Sequence, residues 1–205
     1  MQFRQLPNSL SAARIIAAPI MMVLLLIPWD ASYIAALGVF IIASISDTLD
    51  GYMARRQKLV SNLGIFLDLT ADKIFVSVIL IAMVETHLLP SWLVATIVAR
   101  EFIVTGLRTY AAAEGVVVPA GKWGKRKTAI TVLAIALLIL YGDILRGGWT
   151  ARIMADPAIA NWFVVSVWLM YLAMIITVIS GLQYLFSVLP LLRPKDSTAP
   201  ANWHE

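Results

Sequence analysis

The sequence predicts an all-α integral membrane protein with six transmembrane helices and both termini in the cytoplasm. Hydrophobic residues make up 60% of the 205 residues and charged residues 14%, whereas roughly a quarter of the residues in soluble domains are charged. The mean hydropathy is +0.85. The apolar residues form runs of about 20 or more, which is the length that a helix needs to cross a bilayer. These observations exclude an ordinary soluble domain.

The apolar runs are separated by polar breaks that contain proline or glycine, such as "PWD" at 28–30 and "THLLPS" at 86–91. The last run is long for one crossing, and we expect it either to be tilted or to follow an interfacial turn. The predicted spans are residues 11–28, 31–54, 62–85, 91–113, 125–143 and 158–189.

We expect residues 1–190 to form one six-helix domain and residues 191–205 to be a disordered tail. The N-terminal stretch "QLPNSLSAARI" predicts a segment on the membrane surface, interrupted by Pro7 and Asn8, with Ser9 or Ser11 as the N-cap of the first helix. A signal peptide over residues 1–28 is the disfavoured alternative, because Arg14 interrupts the start of the apolar run and "PWDAS" is a poor cleavage site.

The basic residues predict the orientation of the chain. If the N-terminus is cytoplasmic, all 16 lysines and arginines except Arg146 and Arg152 fall on the cytoplasmic side, as the positive-inside rule requires. The same distribution explains the net charge of +4. Because the basic residues flank apolar runs and form no soluble patch, we expect membrane lipids and no nucleic acid as partners.

Four aspartates interrupt the apolar pattern within "SDTLDGYMARRQKLVSNLGIFLDLTADK", residues 46–73. Asp47 and Asp50 are three residues apart in the second span, and Asp68 and Asp72 are four apart in the third, so each pair shares a helix face. Two adjacent antiparallel helices can bring all four to one point near the cytoplasmic surface. Carboxylates that close together require cations to compensate their charge.

The donor atoms predict which cations these are. Oxygen ligands with no histidine or cysteine nearby favour Mg²⁺ or Mn²⁺, and two such ions that share carboxylates can promote phosphoryl transfer. The chain has no cysteine and two histidines, which excludes disulfides and thiolate sites and disfavours a zinc site or a histidine triad. Two alternatives stay open. Each aspartate could be paired with a neighbouring base, as Asp72 with Lys73, or the group could be an ion-transport site.

The spacing of these residues resembles the signature of the CDP-alcohol phosphotransferase family. The pattern is Asp47-x-x-Asp50-Gly51-x-x-Ala54-Arg55, eight further residues, and Gly64-x-x-x-Asp68-x-x-x-Asp72. The resemblance implies the six-helix homodimeric CDP-alcohol phosphotransferase fold, with a cavity that faces the cytoplasm. It also implies transfer of a phosphatidyl group from a CDP-linked lipid to an alcohol, with release of CMP.

The resemblance further assigns roles within this pattern. Its four aspartates would hold the metal ions, and Asp72 would also be the candidate base that deprotonates the acceptor hydroxyl. The CDP pocket would be lined by Gly51, Ala54, Arg55 and Gly64.

The acceptor is suggested by a second basic region, "AREFIVTGLR" followed by "WGKRKT". Arg100, Arg108, Lys125 and Lys127 can form a cationic pocket beside the metal site, suited to an acceptor that carries a phosphate. The alternative is positive-inside charge or contact with anionic lipid headgroups.

These segments, together with "LPNSLSAARI" and "FLDLTADK", are similar to the bacterial phosphatidylglycerophosphate synthases, a branch of the same family. This resemblance implies CDP-diacylglycerol and sn-glycerol 3-phosphate as substrates and the bacterial inner membrane as the location. Other acceptors of the family, namely phosphatidylglycerol, serine or inositol phosphate, stay open, as does divalent-cation transport.

Overall fold

The computed structural model describes the backbone of residues 6–57, 62–113, 122–153 and 157–189, and the side chains of residues 12–46, 70–112, 127–153 and 164–189. The predicted tail, residues 191–205, lies outside these ranges. The described chain is built of helices, which confirms the all-α class. Their bounds are α1 Leu6–Leu26, α2 Ser32–Gln57, α3 Asn62–Glu85, α4 Ser91–Ala113, α5 Lys122–Leu145, α6 Trp149–Ile153 and α7 Pro157–Val188.

The long helices follow the predicted spans, and α3 and α4 begin and end at the predicted residues. The first helix differs, because α1 already includes Leu6. The prediction that Ser9 or Ser11 caps this helix is therefore wrong. Pro7 does not interrupt the helix, since the N–H groups of a first turn have no helical partner and a proline there loses nothing. The short helix α6 supplies the turn that we expected before the last long segment.

The six long helices contact one another in a closed ring whose order differs from the order along the chain. α1 packs between α2 and α3, α2 packs against α5, α5 against α7, α7 against α4, and α4 against α3. Inside the ring, the aromatic rings of Phe40 on α2 and Phe75 on α3 are stacked, with their centroids 6.2 Å apart. The core around them contains the fully buried side chains Met21, Ile79, Met83, Leu138 and Met170.

The outer surface of the bundle is apolar. Two described segments are long and apolar enough to cross a membrane, residues 127–145 of α5 and 164–188 of α7, with mean hydropathies of 2.2 and 2.1. Shorter apolar stretches lie in α1 and α2. Large apolar side chains that are more than half exposed include Ile16, Ile42, Phe102, Trp168 and Phe186. An exposed apolar surface of this kind is typical of a protein that contacts lipid.

The connection from α5 to α6 depends on a buried carboxylate that the sequence analysis did not single out. Asp143 is 1% exposed and accepts a hydrogen bond from the backbone N–H of Thr150, at 2.6 Å. Gly147 has a φ of +69°, a region that glycine adopts without strain. A Cβ at Gly148 would overlap the Asp143 carboxylate. The pair of glycines in "RGGWT" therefore allows the backbone to turn around this side chain.

Candidate active site

A cavity of about 920 Å³ opens between α1, α2, α3, α4 and α5. Most of its wall is apolar and includes both stacked phenylalanines. The charged side chains that line it are Arg14, Asp72, Lys73, Glu101 and Lys127. An apolar cavity on which a few charged groups converge is typical of a site for a small molecule or a lipid.

Asp72 is the one predicted metal ligand whose side chain is described. It lies in the middle of α3, lines the cavity and is 45% exposed. The ammonium of Lys73 donates to Asp72 Oδ2 at 3.2 Å, so the pairing that the sequence suggested exists. Since a carboxylate can accept about four hydrogen bonds, this single contact leaves oxygen lone pairs for a metal ion or a substrate proton. The carboxylate thus fits both predicted roles.

The other residues of the family pattern lie on described helices, but their side chains are outside the described residues. On α2 and α3 these are Asp47, Asp50, Gly51, Ala54, Arg55, Gly64 and Asp68. Ser44 and Ile45 of α2 line the cavity, and the same helix continues to Gln57. Asp47 follows Ser44 by about one helical turn, and Asp68 precedes Asp72 by about one turn. The backbone therefore carries part of the pattern close to the cavity.

Among the described side chains, no group of three or more acidic, histidine or cysteine residues forms a metal site. The side chains of three of the four predicted ligands are not among those described. This finding therefore does not test the predicted metal site and applies to the rest of the bundle. The chemistry of the predicted ligand set, four carboxylates, fits Mg²⁺ or Mn²⁺.

Glu101 lies at the centre of a charged cluster beside Asp72. Its Oε2 is 2.9 Å from the ammonium of Lys73. Its Oε1 accepts a hydrogen bond from Arg100 Nη1 at 2.8 Å and another from the ammonium of Lys127. We call these four residues the Glu101 cluster. It joins α3, α4 and α5 across the inside of the ring.

The Glu101 cluster holds three cations and one carboxylate, and Asp72 adds a second carboxylate through its pair with Lys73. Positive charge is therefore still in excess. The exposed fractions of its side chains lie between 13% and 22%. Charges that are this poorly solvated interact more strongly than charges on an open surface. An anion that enters the cavity would therefore be attracted to the cluster, and a phosphate group matches the hydrogen-bond donors of arginine and lysine.

The structure brings together two of the four residues that were predicted to bind the acceptor phosphate. Arg100 and Lys127 belong to the Glu101 cluster. Arg108 lies about 12 Å further along α4, where its guanidinium is 5.6 Å from the centroid of the Tyr184 ring on α7. The side chain of Lys125 lies outside the described residues. The sequence analysis interpreted Lys73 only as a partner of Asp72. Its second contact, with Glu101, joins α3 to α4, and the spacing of residues along either helix does not indicate it.

Arg100 is also held from α7, by residues that the sequence analysis missed. Its Nη2 donates to Ser180 Oγ at 2.7 Å. A Cβ at Gly181 would lie 2.7 Å from Arg100 Nε and 3.0 Å from its Cγ, so the glycine allows the arginine to pass close to the backbone. The sequence signal is a pair of small residues, "SG", in a largely apolar helix.

Comparisons with known proteins identify the family of the chain. A family model described as CDP-alcohol phosphatidyltransferase matches residues 4–179. Relatives named CDP-diacylglycerol–glycerol-3-phosphate 3-phosphatidyltransferase occur in Pseudomonas fluorescens, with 34% identity over 92% of both chains, and in Cereibacter sphaeroides, with 33% identity over 92% of this chain and 97% of the relative. The Bacillus subtilis protein of that name is 43% identical over 66% of this chain and 77% of its own.

The family match covers the aspartate pattern, the cavity and the Glu101 cluster. It confirms the membership that the aspartate pattern predicted. The chain belongs to the CDP-alcohol phosphatidyltransferase family and is an enzyme of that class.

Proposed function

We propose that this protein transfers the phosphatidyl group of CDP-diacylglycerol to sn-glycerol 3-phosphate, which gives phosphatidylglycerol phosphate and CMP. The observation that carries the proposal is the Glu101 cluster, where three cations surround one carboxylate next to Asp72. An acceptor that bears a phosphate supplies the missing negative charge, whereas a neutral polyol does not. The names of the relatives, which describe this reaction, support the same choice.

In the proposed reaction, Asp72 takes the proton of the acceptor hydroxyl. The acceptor oxygen then attacks the phosphorus of the phosphatidyl group in line, and the bond from that phosphorus to CMP breaks. The bonding electrons leave with the CMP phosphate. Asp72 suits this role because its carboxylate is partly exposed in the cavity and has lone pairs free of Lys73.

The metal ions of the proposal are two Mg²⁺ or Mn²⁺ held by Asp47, Asp50, Asp68 and Asp72. When bound, such ions neutralise the pyrophosphate oxygens of the donor and stabilise the departing CMP. The chain itself orients the donor. The apolar wall of the cavity suits the acyl part of a lipid, and we assign the CDP part to the segment that carries Gly51, Ala54, Arg55 and Gly64. Small residues there would let the nucleotide approach the backbone closely.

The acceptor phosphate is assigned to the cations of the second basic region. Arg100 and Lys127 are the direct contacts in this proposal, and Lys73 joins them because it shares Glu101. Lys73 and Lys127 line the cavity, and Arg100 lies next to them through its contact with Glu101. Arg108 and Lys125 extend the positive potential along α4 and at the start of α5. Such a field attracts anionic substrates to the cavity.

We further propose six membrane crossings with both termini in the cytoplasm, in the inner membrane of a bacterium, and an active site that faces the cytoplasm. The distribution of basic residues supports this orientation. Arg146 and Arg152, the two exceptions, pair at the opposite end of the bundle: Arg152 with Asp30 at 2.6 Å, and Arg146 with the ring of Tyr33 at 4.9 Å. The homodimer of the family is part of the proposal and is tested by the mass of the purified protein in detergent.

The test is CMP release by the purified protein with CDP-diacylglycerol and each candidate acceptor: sn-glycerol 3-phosphate, phosphatidylglycerol, serine and inositol phosphate. We expect release with sn-glycerol 3-phosphate alone, its loss in EDTA and its recovery with Mg²⁺ or Mn²⁺. Release driven by another acceptor would overturn the proposed substrate and keep the chemistry. If folded protein released no CMP with any acceptor and yet passed divalent cations across a vesicle membrane, transport would replace transfer.

A further inference from the structure

We propose that Ser180 and Gly181 of α7 are positioning residues for Arg100, and that through it they set the affinity of the site for the phosphate of the acceptor. This inference rests on the proposed function. Among the described residues that line the cavity, none belongs to α7. That helix reaches the Glu101 cluster through Arg100.

The guanidinium of Arg100 is held at both of its terminal nitrogens. Nη1 donates to Glu101 Oε1 on its own helix, at 2.8 Å, and Nη2 donates to Ser180 Oγ, at 2.7 Å. Each terminal nitrogen of a guanidinium carries two N–H groups, so one on each remains for a further acceptor. Two fixed contacts on a planar group determine the direction of these remaining donors. A phosphate oxygen is the acceptor that they fit.

The third nitrogen faces the α7 backbone. Arg100 Nε is buried and has no hydrogen-bond partner among the described residues, and a Cβ at Gly181 would lie within 2.7 Å of it. A buried donor without a partner lowers stability, and a glycine within a helix does so too, relative to alanine. The unpaired Nε and the helical glycine, which both lower stability, have one cause: the arginine stem passes directly over the α7 backbone. The α7 backbone thus limits where the guanidinium can lie.

The position of Arg100 matters for one substrate more than for the other. In the proposed reaction the acceptor phosphate contacts Arg100, whereas CDP-diacylglycerol is bound by the aspartate segment and the apolar wall. Loss of the Ser180 contact should therefore raise the KM for sn-glycerol 3-phosphate and leave the KM for CDP-diacylglycerol unchanged. A general loss of packing would change both constants or lower the amount of folded protein.

The experiment compares Ser180→Ala and Gly181→Ala with the wild-type full-length chain in detergent. We expect Ser180→Ala to raise the KM for sn-glycerol 3-phosphate about tenfold, the factor that corresponds to loss of a hydrogen bond to a charged group. Gly181→Ala should raise the same KM because its new Cβ displaces the arginine stem. Ser180→Thr keeps the hydroxyl and should restore most of the affinity. The matched controls are Ser187→Ala, whose hydroxyl donates to Gln183 O of its own helix at 2.9 Å, and Gly38→Ala, where a Cβ meets open space.

A second readout does not depend on catalysis. Binding of inorganic phosphate is measured by calorimetry in EDTA, and we expect Ser180→Ala to bind it about tenfold more weakly than the wild type. Unchanged phosphate affinity and an unchanged acceptor KM in Ser180→Ala would overturn the inference, as would a KM that Ser180→Thr fails to restore. If Gly181→Ala does not fold, Ser180→Ala and Ser180→Thr still test whether α7 positions Arg100.

The proposed function and this inference fail separately. If the wild type does not release CMP with sn-glycerol 3-phosphate, the proposed function is wrong. The phosphate-binding measurement by itself then tests the role of Ser180. In that case, weaker phosphate binding by Ser180→Ala would still show that Ser180 positions Arg100 for an anion, and that anion would be one other than sn-glycerol 3-phosphate. Absence of phosphate binding by the wild type overturns that role as well.

Discussion

Lys73 on α3 lies 2.9 Å from Glu101 on α4. The same ammonium donates to Asp72 at 3.2 Å, so one lysine links the carboxylate that we propose as the base to the carboxylate at the centre of the proposed acceptor site. A change at Glu101 should therefore affect both the packing of three helices and the response of the protein to anions.

Glu101→Gln removes the negative charge from a cluster that keeps three cations. We expect the melting temperature to fall by about 4 °C or more, because breaking a poorly solvated ion pair leaves its partners uncompensated. The measurement is thermal unfolding in detergent with and without phosphate. Phosphate should raise the melting temperature of the variant more than that of the wild type, since a ligand stabilises the state that binds it better.

The matched control for this substitution is Glu85→Gln, because Glu85 is the last residue of α3 and is exposed. It removes an equal charge and should leave the melting temperature nearly unchanged. A Glu101→Gln protein as stable as this control, with no added response to phosphate, would contradict the account of the cluster.

Asp72→Asn is expected to lower kcat by about 10²- to 10⁴-fold, the range that general-base catalysis contributes. The melting temperature should change little, because the carboxylate is 45% exposed and its ion pair with Lys73 is weak for that reason. Steady-state CMP release and thermal unfolding measure the two effects. Asp30→Asn, which breaks the exposed pair with Arg152, is the control and should keep its activity. A variant at position 72 that retained more than a tenth of wild-type activity would exclude the proposed base.

Asp143→Ala should destabilise the protein by about 1–3 kcal/mol, because it leaves the buried N–H of Thr150 without its acceptor. Asp143→Asn keeps one carboxamide oxygen as an acceptor and should be less damaging. Denaturant or thermal unfolding compares the two. The folded fraction of either variant should keep the wild-type kcat, since this side chain lies in the last turn of α5 and contacts the start of α6. A lower kcat at equal folded concentration would show that the connection also acts on the site.

Gly142→Ala should also destabilise the protein, by about 1–3 kcal/mol, because the new methyl group would overlap the ring of Tyr33 and lie 3.0 Å from Leu88 Cδ1. Gly38→Ala adds the same methyl group in a helix where it meets open space. That control should be neutral or slightly stabilising, because alanine is the better helix former. Equal melting temperatures for the two variants would be inconsistent with the packing between α2 and α5.

The sequence was sufficient to predict the positions of the long helices. The apolar runs on either side of "THLLPS" gave α3 and α4 to the residue, because a helix in an apolar bundle ends where its side chains become polar. The aspartate spacing predicted the family, since that spacing is read directly along two helix faces. The start of α1 was predicted too late, because proline in a first turn is compatible with a helix and was interpreted as a break.

The partners of individual charges could not be predicted, because they depend on the order of helices in the ring. Arg100 and Arg108 were predicted to share one pocket, yet Arg100 lies with Glu101, whose other contacts come from α3 and α5, while Arg108 lies against Tyr184. Ser180 likewise reaches Arg100 from a helix distant in sequence. Helical periodicity tells which residues share a face and does not tell which helix that face meets.

The ring has a consequence for how the protein is made. Synthesis runs from the N-terminus, so α7 leaves the ribosome after the other five long helices, and in the ring it lies between α4 and α5. Until α7 arrives, those two helices lack their shared neighbour and Arg100 lacks the Ser180 hydroxyl. A nascent chain therefore carries every aspartate of the motif long before the bundle closes. Insertion of α7 closes the ring and forms the Arg100 contact in one step, so a chain without α7 would carry the proposed metal ligands but an incomplete proposed acceptor site.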